Sequence, residues 1–418
     1  MLTVRNLAVA CFVLGRLVAA EPAADWPQFR GPTGQGVATG VKPPLEWSPT
    51  KNIIWQSAVP GAGWSSPVVS GGKIFLTAAV PGEAGNPALT ALGLDAATGR
   101  IEWRTEIFPA DESPPLRSHE RNSPASPTAI VDGERVYFYF GHHGAACLDR
   151  AGKILWRNPR LRFDPVAGNG GSPILAGDRL VYVAECATAP GIVALDKFTG
   201  KTVWRAPRAL PPKMKLSFGT PLLIEAGGRA QIVVPGTGAV VALDPKDGRE
   251  IWRVRYARDS SLAPRPVFAH GLVFVSAGYL RVELLAIRPD GEGDVTDTHV
   301  AWRLTKGAPH TPAMVVVDEE LYAVTDTGLA SCWEAKTGKV IWQERIAGNY
   351  SAAPFAAEGR IYFLNEEGTT TVLKAGREFT PLATNALGET TLASAAVAEG
   401  AVFIRTAGNL FRIGERGR

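Results

Sequence analysis

The chain has 418 residues, a net charge of +4 without a basic cluster, 45 Gly and 32 Pro. That balance gives no reason to expect nucleic acid or an anionic membrane surface as partner. Length alone would suggest two or three domains, but so turn-dense a composition fits a single closed all-β domain.

Residues 1–20 read as a signal peptide. Arg5 supplies the positive end, residues 7–15 are apolar, and Val18-Ala19-Ala20 suits cleavage before Glu21. The segment is too short for a transmembrane span, so the expected location is periplasmic or secreted. Residues 21–51 form an extended leader. Trp26, Phe29 and Trp47 make it too apolar for a free tail, and it is expected to pack along the outside of the following domain.

Residues 52–414 are built from a recurring phrase. A Ser-Pro or Thr-Pro step opens an aliphatic strand, Asp-x-x-Thr-Gly follows, and an aromatic closes the unit. The steps or their substitutes fall at Pro67, Pro127, Pro173, Pro221, Pro266, Met314, Pro354 and Ala395. The closing aromatics fall at Trp103, Trp156, Trp204, Trp252, Trp302, Trp342 and Phe379. From Pro127 onward the steps are 40 to 48 residues apart, a period that marks a closed or stacked repeat.

The third unit is the clearest. Short apolar runs at residues 172–175, 179–183, 192–196 and 201–204 are separated by Gly and Asp turns. No stretch beyond Trp55 keeps a 3.6-residue period, so helices should be scarce. Four antiparallel strands per unit make one propeller blade. The Asp accepts bonds from its own turn and Gly gives the turn its backbone freedom. The Trp then packs over the turn of the neighbouring blade. The last unit has only three strands, and the missing outer one is available at residues 53–59. The fold class is therefore an all-β, eight-bladed propeller of four-stranded antiparallel blades, closed by the N-terminal strand so that no edge is orphaned.

Without the signal peptide and its Cys11, Cys147, Cys186 and Cys332 remain. Cys147 and Cys332 align with Ala194 and Ala242 at one third-strand site in opposite blades, so they cannot bridge. All three read as small core residues.

The run Ala194-Leu195-Asp196-Lys197-Phe198-Thr199-Gly200-Lys201-Thr202-Val203-Trp204 resembles the tryptophan-docking repeat of the pyrroloquinoline quinone (PQQ) propellers. Further copies stand at residues 95–103, 244–252 and 334–342, with a shorter one at 149–156. The family includes quinoprotein alcohol dehydrogenases and a non-enzymatic propeller lipoprotein of outer-membrane protein assembly. The leader motif at residues 26–32 and the run at 293–299 look like secreted propellers of planctomycete type. In the dehydrogenases, the resemblance implies two adjacent Cys over the quinone, calcium ligands and a catalytic Asp. This chain has no adjacent Cys pair and no large insertions. The expectation is a binding or assembly scaffold with no cofactor. The alternative is an oxidoreductase holding PQQ with calcium, or another cofactor, at the channel mouth.

In such a ring the loops entering each innermost strand meet at one mouth of the channel. Trp64, His119, Arg121, Asn122, Asn169, Ser217, His310, Asn349 and Tyr350 fall in that zone. Converging polar groups at a concave mouth form a candidate site for a protein, small-molecule or carbohydrate ligand. Equally, they could cap strand ends and hold water. The longest inter-blade loop is read as residues 104–122, with Asp111, Glu112, Arg117 and the Pro114-Pro115 pair shaping it. His142-His143 invites a metal reading, with His119 or Glu185 near, but lacks any recognised ligand spacing, and a solvated or hydrogen-bonded pair is expected. Glu366-Glu367 reads as solvated. No nucleophile elbow, phosphate loop or zinc-protease motif is present. Catalytic and metal residues are not assigned, and the chain is expected to be a monomer.

Overall fold

The computed structural model describes residues 25–82, 86–110, 119–159, 161, 168–184, 190–208, 217–256, 263–278 and 282–415. Among them the one helical element is a single 3-10 turn at Gly141–His143. The strands form eight antiparallel sheets arranged as an eight-bladed propeller, as the repeat predicts. The signal-peptide reading, Cys186, Glu185, Asp111, Glu112, Pro114, Pro115 and Arg117 lie outside the described residues.

The third blade shows how the sequence builds the unit. Ile174–Ala176, Arg179–Ala184, Gly191–Asp196 and Thr202–Pro207 pair in order from the channel outward. The two middle strands are apolar on both faces because a neighbouring blade covers each face. The outermost strand alternates, burying Trp204 while Val203 and Arg205 face out. Asp196 closes the turn as expected: its Oδ1 accepts from the Thr199 backbone N at 2.9 Å and the Thr199 hydroxyl at 2.8 Å. The hydroxyl bond lowers the Asp196 pKa, with burial opposing.

Ring closure also follows the sequence. Ile53–Ala58 pairs antiparallel with Asn409–Ile413, completing the last blade as its outer strand. Arg405 staples this seam from inside. It is 1% exposed, and its Nη1 donates to Ser65 Oγ and to the Thr77 carbonyl, both at 2.8 Å, in the first blade.

The Trp docking is regular at six junctions. The indole N–H of Trp55, Trp103, Trp156, Trp204, Trp302 and Trp342 each donates to a carbonyl in the next blade's turn, at 2.9–3.2 Å. At Trp204 the ring lies flat on Gly248, which has φ +75°, and a Cβ there would come within 2.5 Å of the indole.

Two expected closing aromatics depart from this rule. Trp252 is fully buried and donates to Gln231 Oε1 of its own blade at 2.7 Å. The next blade has no Asp-x-x-Thr-Gly turn to receive it. Instead Gly293–Asp294 adds a parallel fifth strand against Trp252 and Arg253. Phe379 packs edge-on against Trp342 of the preceding blade, with ring centroids 5.3 Å apart. It precedes its blade's outer strand, Pro381–Ala386.

The register of the second blade also differs from expectation. Its innermost strand is Ile130–Asp132, so Thr128-Ala129 occupies the place of Ser66-Pro67 and Ser172-Pro173. Pro127 stands two residues early. Thr128 takes the site because its hydroxyl joins a belt between blades: Ser66 N donates to Thr128 Oγ1 at 3.0 Å, Thr128 N to Ser172 Oγ at 2.9 Å, and Ser172 N to Thr220 Oγ1 at 2.9 Å. In the first blade the outer strand runs Ile101–Phe108, so the long connection starts after Phe108 and not at Arg104.

The leader departs most from expectation. Its first half enters the channel and does not run along the outside. Trp26 pairs with Val69 of the first blade's innermost strand. The Pro27 carbonyl accepts from Val131 N at 2.8 Å. Gln35 Oε1 accepts from Phe268 N at 2.6 Å, and Val37–Ala38 pairs parallel with Phe355–Ala357. Innermost strands leave an edge of backbone groups unpaired toward the channel, and the leader supplies partners there. Its second half crosses the seventh blade, where Trp47 stacks near Tyr362 and its backbone N donates to Asn385 Oδ1 at 2.9 Å.

Candidate functional site

The loops before the innermost strands converge on one cavity of about 640 Å³, and all eight blades line it. Short hydroxyl side chains make much of its wall, including Ser66, Thr128, Ser172, Thr311, Ser351 and Ser394. Trp64, Phe218 and Leu392 supply apolar faces. Phe29 and Arg265 also line the cavity. Phe29 comes from the leader, so the leader makes the channel a cup with a floor.

The floor is pinned by two buried arginines. Arg265 is 3% exposed; its Nη1 donates to the Phe29 carbonyl at 2.6 Å and its Nε to the Pro221 carbonyl at 3.0 Å. Arg30 is 2% exposed and donates to the carbonyls of Gln35 and Met314. Burial, and then the neighbouring Arg265, lowers the Arg30 pKa. Arg265 stands where the first, third and fourth blades place Ser66, Ser172 and Thr220 before Pro, and a charged residue at that step was the available sequence signal for it.

Five of the nine candidate residues line the cup: Trp64, His119, Arg121, Asn122 and His310. Arg121 reaches across the mouth from the first inter-blade connection. Its guanidinium lies 3.2 Å from Glu366 and 3.8 Å from Asp326, carboxylates of the seventh and sixth blades. Glu366 also accepts from Ser351 Oγ at 2.5 Å, so it is an organised acceptor and not merely solvated. Asp326 Oδ2 accepts from the backbone N of His310 at 3.0 Å and of Thr311 at 3.1 Å. Burial opposes ionisation of Asp326, but the bonds from His310 and Thr311 prevail and hold its pKa below the usual value. His119 Nδ1 accepts from Arg121 N at 3.2 Å, and Asn122 Oδ1 accepts from Ser123 N at 2.8 Å, so both shape the loop that carries Arg121.

The other four candidates do not line the cup. Asn169 bonds His142 Nδ1 at 2.9 Å. Ser217 donates to the Pro235 carbonyl at 3.1 Å, and its neighbour Phe218 takes the cup wall. Asn349 is exposed and accepts from Glu366 N through its backbone carbonyl at 2.7 Å. Tyr350 is fully buried and donates to the Ala347 carbonyl at 2.7 Å.

His142 and His143 sit on the 3-10 turn with ring centroids 3.9 Å apart. No group of three or more His, Cys, Asp or Glu side chains could hold a metal among the described residues. Cys147 and Cys332 are buried and free, and each lies opposite its blade's docking Trp, as Ala194 does.

The cup does not fit PQQ with calcium. Among the described residues the lining holds one carboxylate residue, Glu120, no group of three or more His, Cys, Asp or Glu stands together to hold a metal ion, and the nearby Asp326 and Glu366 are engaged by His310, Thr311, Ser351 and Arg121. The chain also has no adjacent Cys pair.

No curated protein matches the chain. Among solved structures, BamB from Moraxella catarrhalis superposes with a TM-score of 0.62 at 13% identity, covering 88% of this chain and 98% of that one. The computationally designed Ika8 protein gives 0.59 at 11% identity, covering 91% and 100%. At these identities the likeness shows the fold alone. Among the described residues no helix is long and apolar enough to cross a membrane. The sequence model described as outer membrane protein assembly factor BamB matches residues 37–159, 118–298 and 291–413. With that match spanning nearly the whole propeller, the chain belongs to the PQQ-like propeller family of the outer membrane protein assembly factor BamB.

Proposed function

We propose that the protein is a non-enzymatic propeller scaffold, periplasmic or secreted, that captures an assembly partner at the cup. Family membership supports a scaffold or assembly role. The observation that carries the reading is the construction of the cup. All eight blades and the protein's own leader build one concave surface of hydroxyls, aromatics and Arg121. Such a surface suits recognition through hydrogen bonds and apolar burial. The Asp326 and Glu366 carboxylates are engaged by His310, Thr311, Ser351 and Arg121, which favours a positioning role over proton transfer.

A titration with PQQ in calcium, followed by absorbance and thermal shift, tests the non-enzymatic part. The reading expects no saturable change. Stoichiometric binding with calcium-dependent dye reduction by an alcohol or sugar would replace it with a quinoprotein oxidoreductase.

A further inference from the structure

The wall of the cup is rich in hydrogen-bond donors. Ser394, Ser66, Thr128 and Ser172 stand on consecutive blades of the ring, the eighth, first, second and third, and all four line the cup. They are 2–8% exposed. Thr128 Oγ1 accepts from Ser66 N, Ser172 Oγ from Thr128 N, and Ser394 Oγ from Ala353 N at 2.8 Å. A hydroxyl that accepts from the wall keeps its proton to give. Among the described residues none of these four hydroxyls donates a hydrogen bond, and Ser66 Oγ makes none at all. Four protons therefore remain for an occupant of the cup.

The far side of the ring holds a fixed cation. Arg265 enters from the fifth blade, opposite the first in a ring of eight. Its Nε and Nη1 are bound to carbonyls, and its Nη2 makes no hydrogen bond to a described residue. Gly34 of the leader lies over the guanidinium, where a Cβ would come within 2.5 Å of it, so the leader holds the group in place. Arg30 is close enough for the two charges to repel. Among the described residues neither arginine has a carboxylate partner. Glu120, the one carboxylate residue of the described lining, is exposed on the mouth loop and pairs with neither. The floor thus carries positive charge that the described residues leave without a counter-ion, and a charge so placed favours an anionic group from outside.

We infer that the element captured in the cup is a peptide segment bearing a carboxylate, with the carboxylate on Arg265 and backbone carbonyls on the hydroxyls of Ser66, Thr128, Ser172 and Ser394. A peptide fits this division because it brings one charged acceptor and a row of neutral ones, and Phe29, Trp64 and Phe218 receive its apolar side chains. The carboxylate belongs to a chain terminus or to an acidic side chain. The inference rests on partner capture at the cup and names the chemistry that is captured.

The test titrates the full chain, by calorimetry, with acetyl-Gly-Phe carrying a free terminal carboxylate, with acetyl-Asp-Phe-amide, and with the neutral acetyl-Gly-Phe-amide. Saturable binding of an acid at one site is expected, tighter than the neutral amide by about tenfold or more. The tighter of the two acids identifies the terminus or the side chain as the source. Arg265→Met should bring the acid-to-amide ratio down to about one. Ser66→Ala should weaken acid and amide alike, by about threefold, at an unchanged denaturation midpoint. Lys153→Met, which removes a charge outside the cup, should change neither. If Arg265→Met lowers the midpoint by unseating the leader, the ratio in the native chain and the Ser66→Ala effect decide. No saturable binding of either acid overturns the inference, as does a ratio near one in the native chain, or binding untouched by both cup variants. A benzophenone amino acid at Phe218 tests capture separately in cells. An adduct together with any of those results leaves capture standing and removes the carboxylate, whereas no adduct defeats capture and this inference with it.

Discussion

Replacing Trp204 by Ala removes one unit of the inter-blade docking and should cost about 3–5 kcal/mol, the range for large buried aromatics. The structure supports that size. The indole is 8% exposed, its Nε1 donates to the Pro245 carbonyl at 3.1 Å, and it packs with the core between the third and fourth blades. The contact has a second handle in Gly248. At φ +75° an Ala there costs about 1–2 kcal/mol from backbone strain alone. Its Cβ would also press within 2.5 Å of Trp204, so in the native background the ring must shift and the cost rises. In the Trp204→Ala background the clash disappears and only the backbone cost remains. The double mutant should therefore be more stable than the sum of the two singles predicts, by about 0.5–3 kcal/mol. Urea denaturation followed by Trp fluorescence and far-UV circular dichroism measures all four forms. Additive effects, or a Trp204→Ala midpoint near that of the native chain, would refute the docking argument.

Deleting residues 1–60 removes the closing strand Ile53–Ala58 and the leader, and should yield an aggregating chain. Deleting residues 1–24 should leave folding intact, and size-exclusion chromatography separates the two outcomes. Arg405→Met keeps the volume but leaves Ser65 Oγ and the Thr77 carbonyl short of a donor, so denaturation should show a loss of about 1–3 kcal/mol. Asp326 has a folded pKa below its ordinary 3.8, so its contribution to stability is complete above 3.8 and is lost as pH falls through the lower folded value. Asp326→Asn should flatten the acid limb of the stability curve below about pH 4; an unchanged limb would mean that its bonds to His310 and Thr311 do not favour the carboxylate.

The ring was legible in the sequence because each blade repeats the same local chemistry. Asp196, Thr199, Gly200 and Trp204 state a turn and the Trp that docks on the next blade's turn within nine residues, and Ile53–Ala58 supplies the one strand that the last unit lacks. The cup was legible only in part. Position before an innermost strand does not say which way a side chain points, so Ser217 and Tyr350 turn away while Phe218 and Ser351 line the wall. The leader's composition showed that it must be buried, but apolarity carries no address. Its route through the channel depends on Pro27, Gln35 and Val37 meeting backbone edges distant in sequence. Trp252 shows the limit of a repeat rule, since its partner is set by the next blade's turn and that turn is replaced.

The central claim, that the cup is where a partner is captured, is tested most directly by photocrosslinking in cells. A benzophenone amino acid at Phe218, on the cup wall, is compared with one at Lys201, on an exposed turn outside the lining. The account predicts a discrete adduct from position 218 only, lost when Arg121→Glu turns attraction to Asp326 and Glu366 into repulsion. An adduct from position 201 with none from 218 would contradict it.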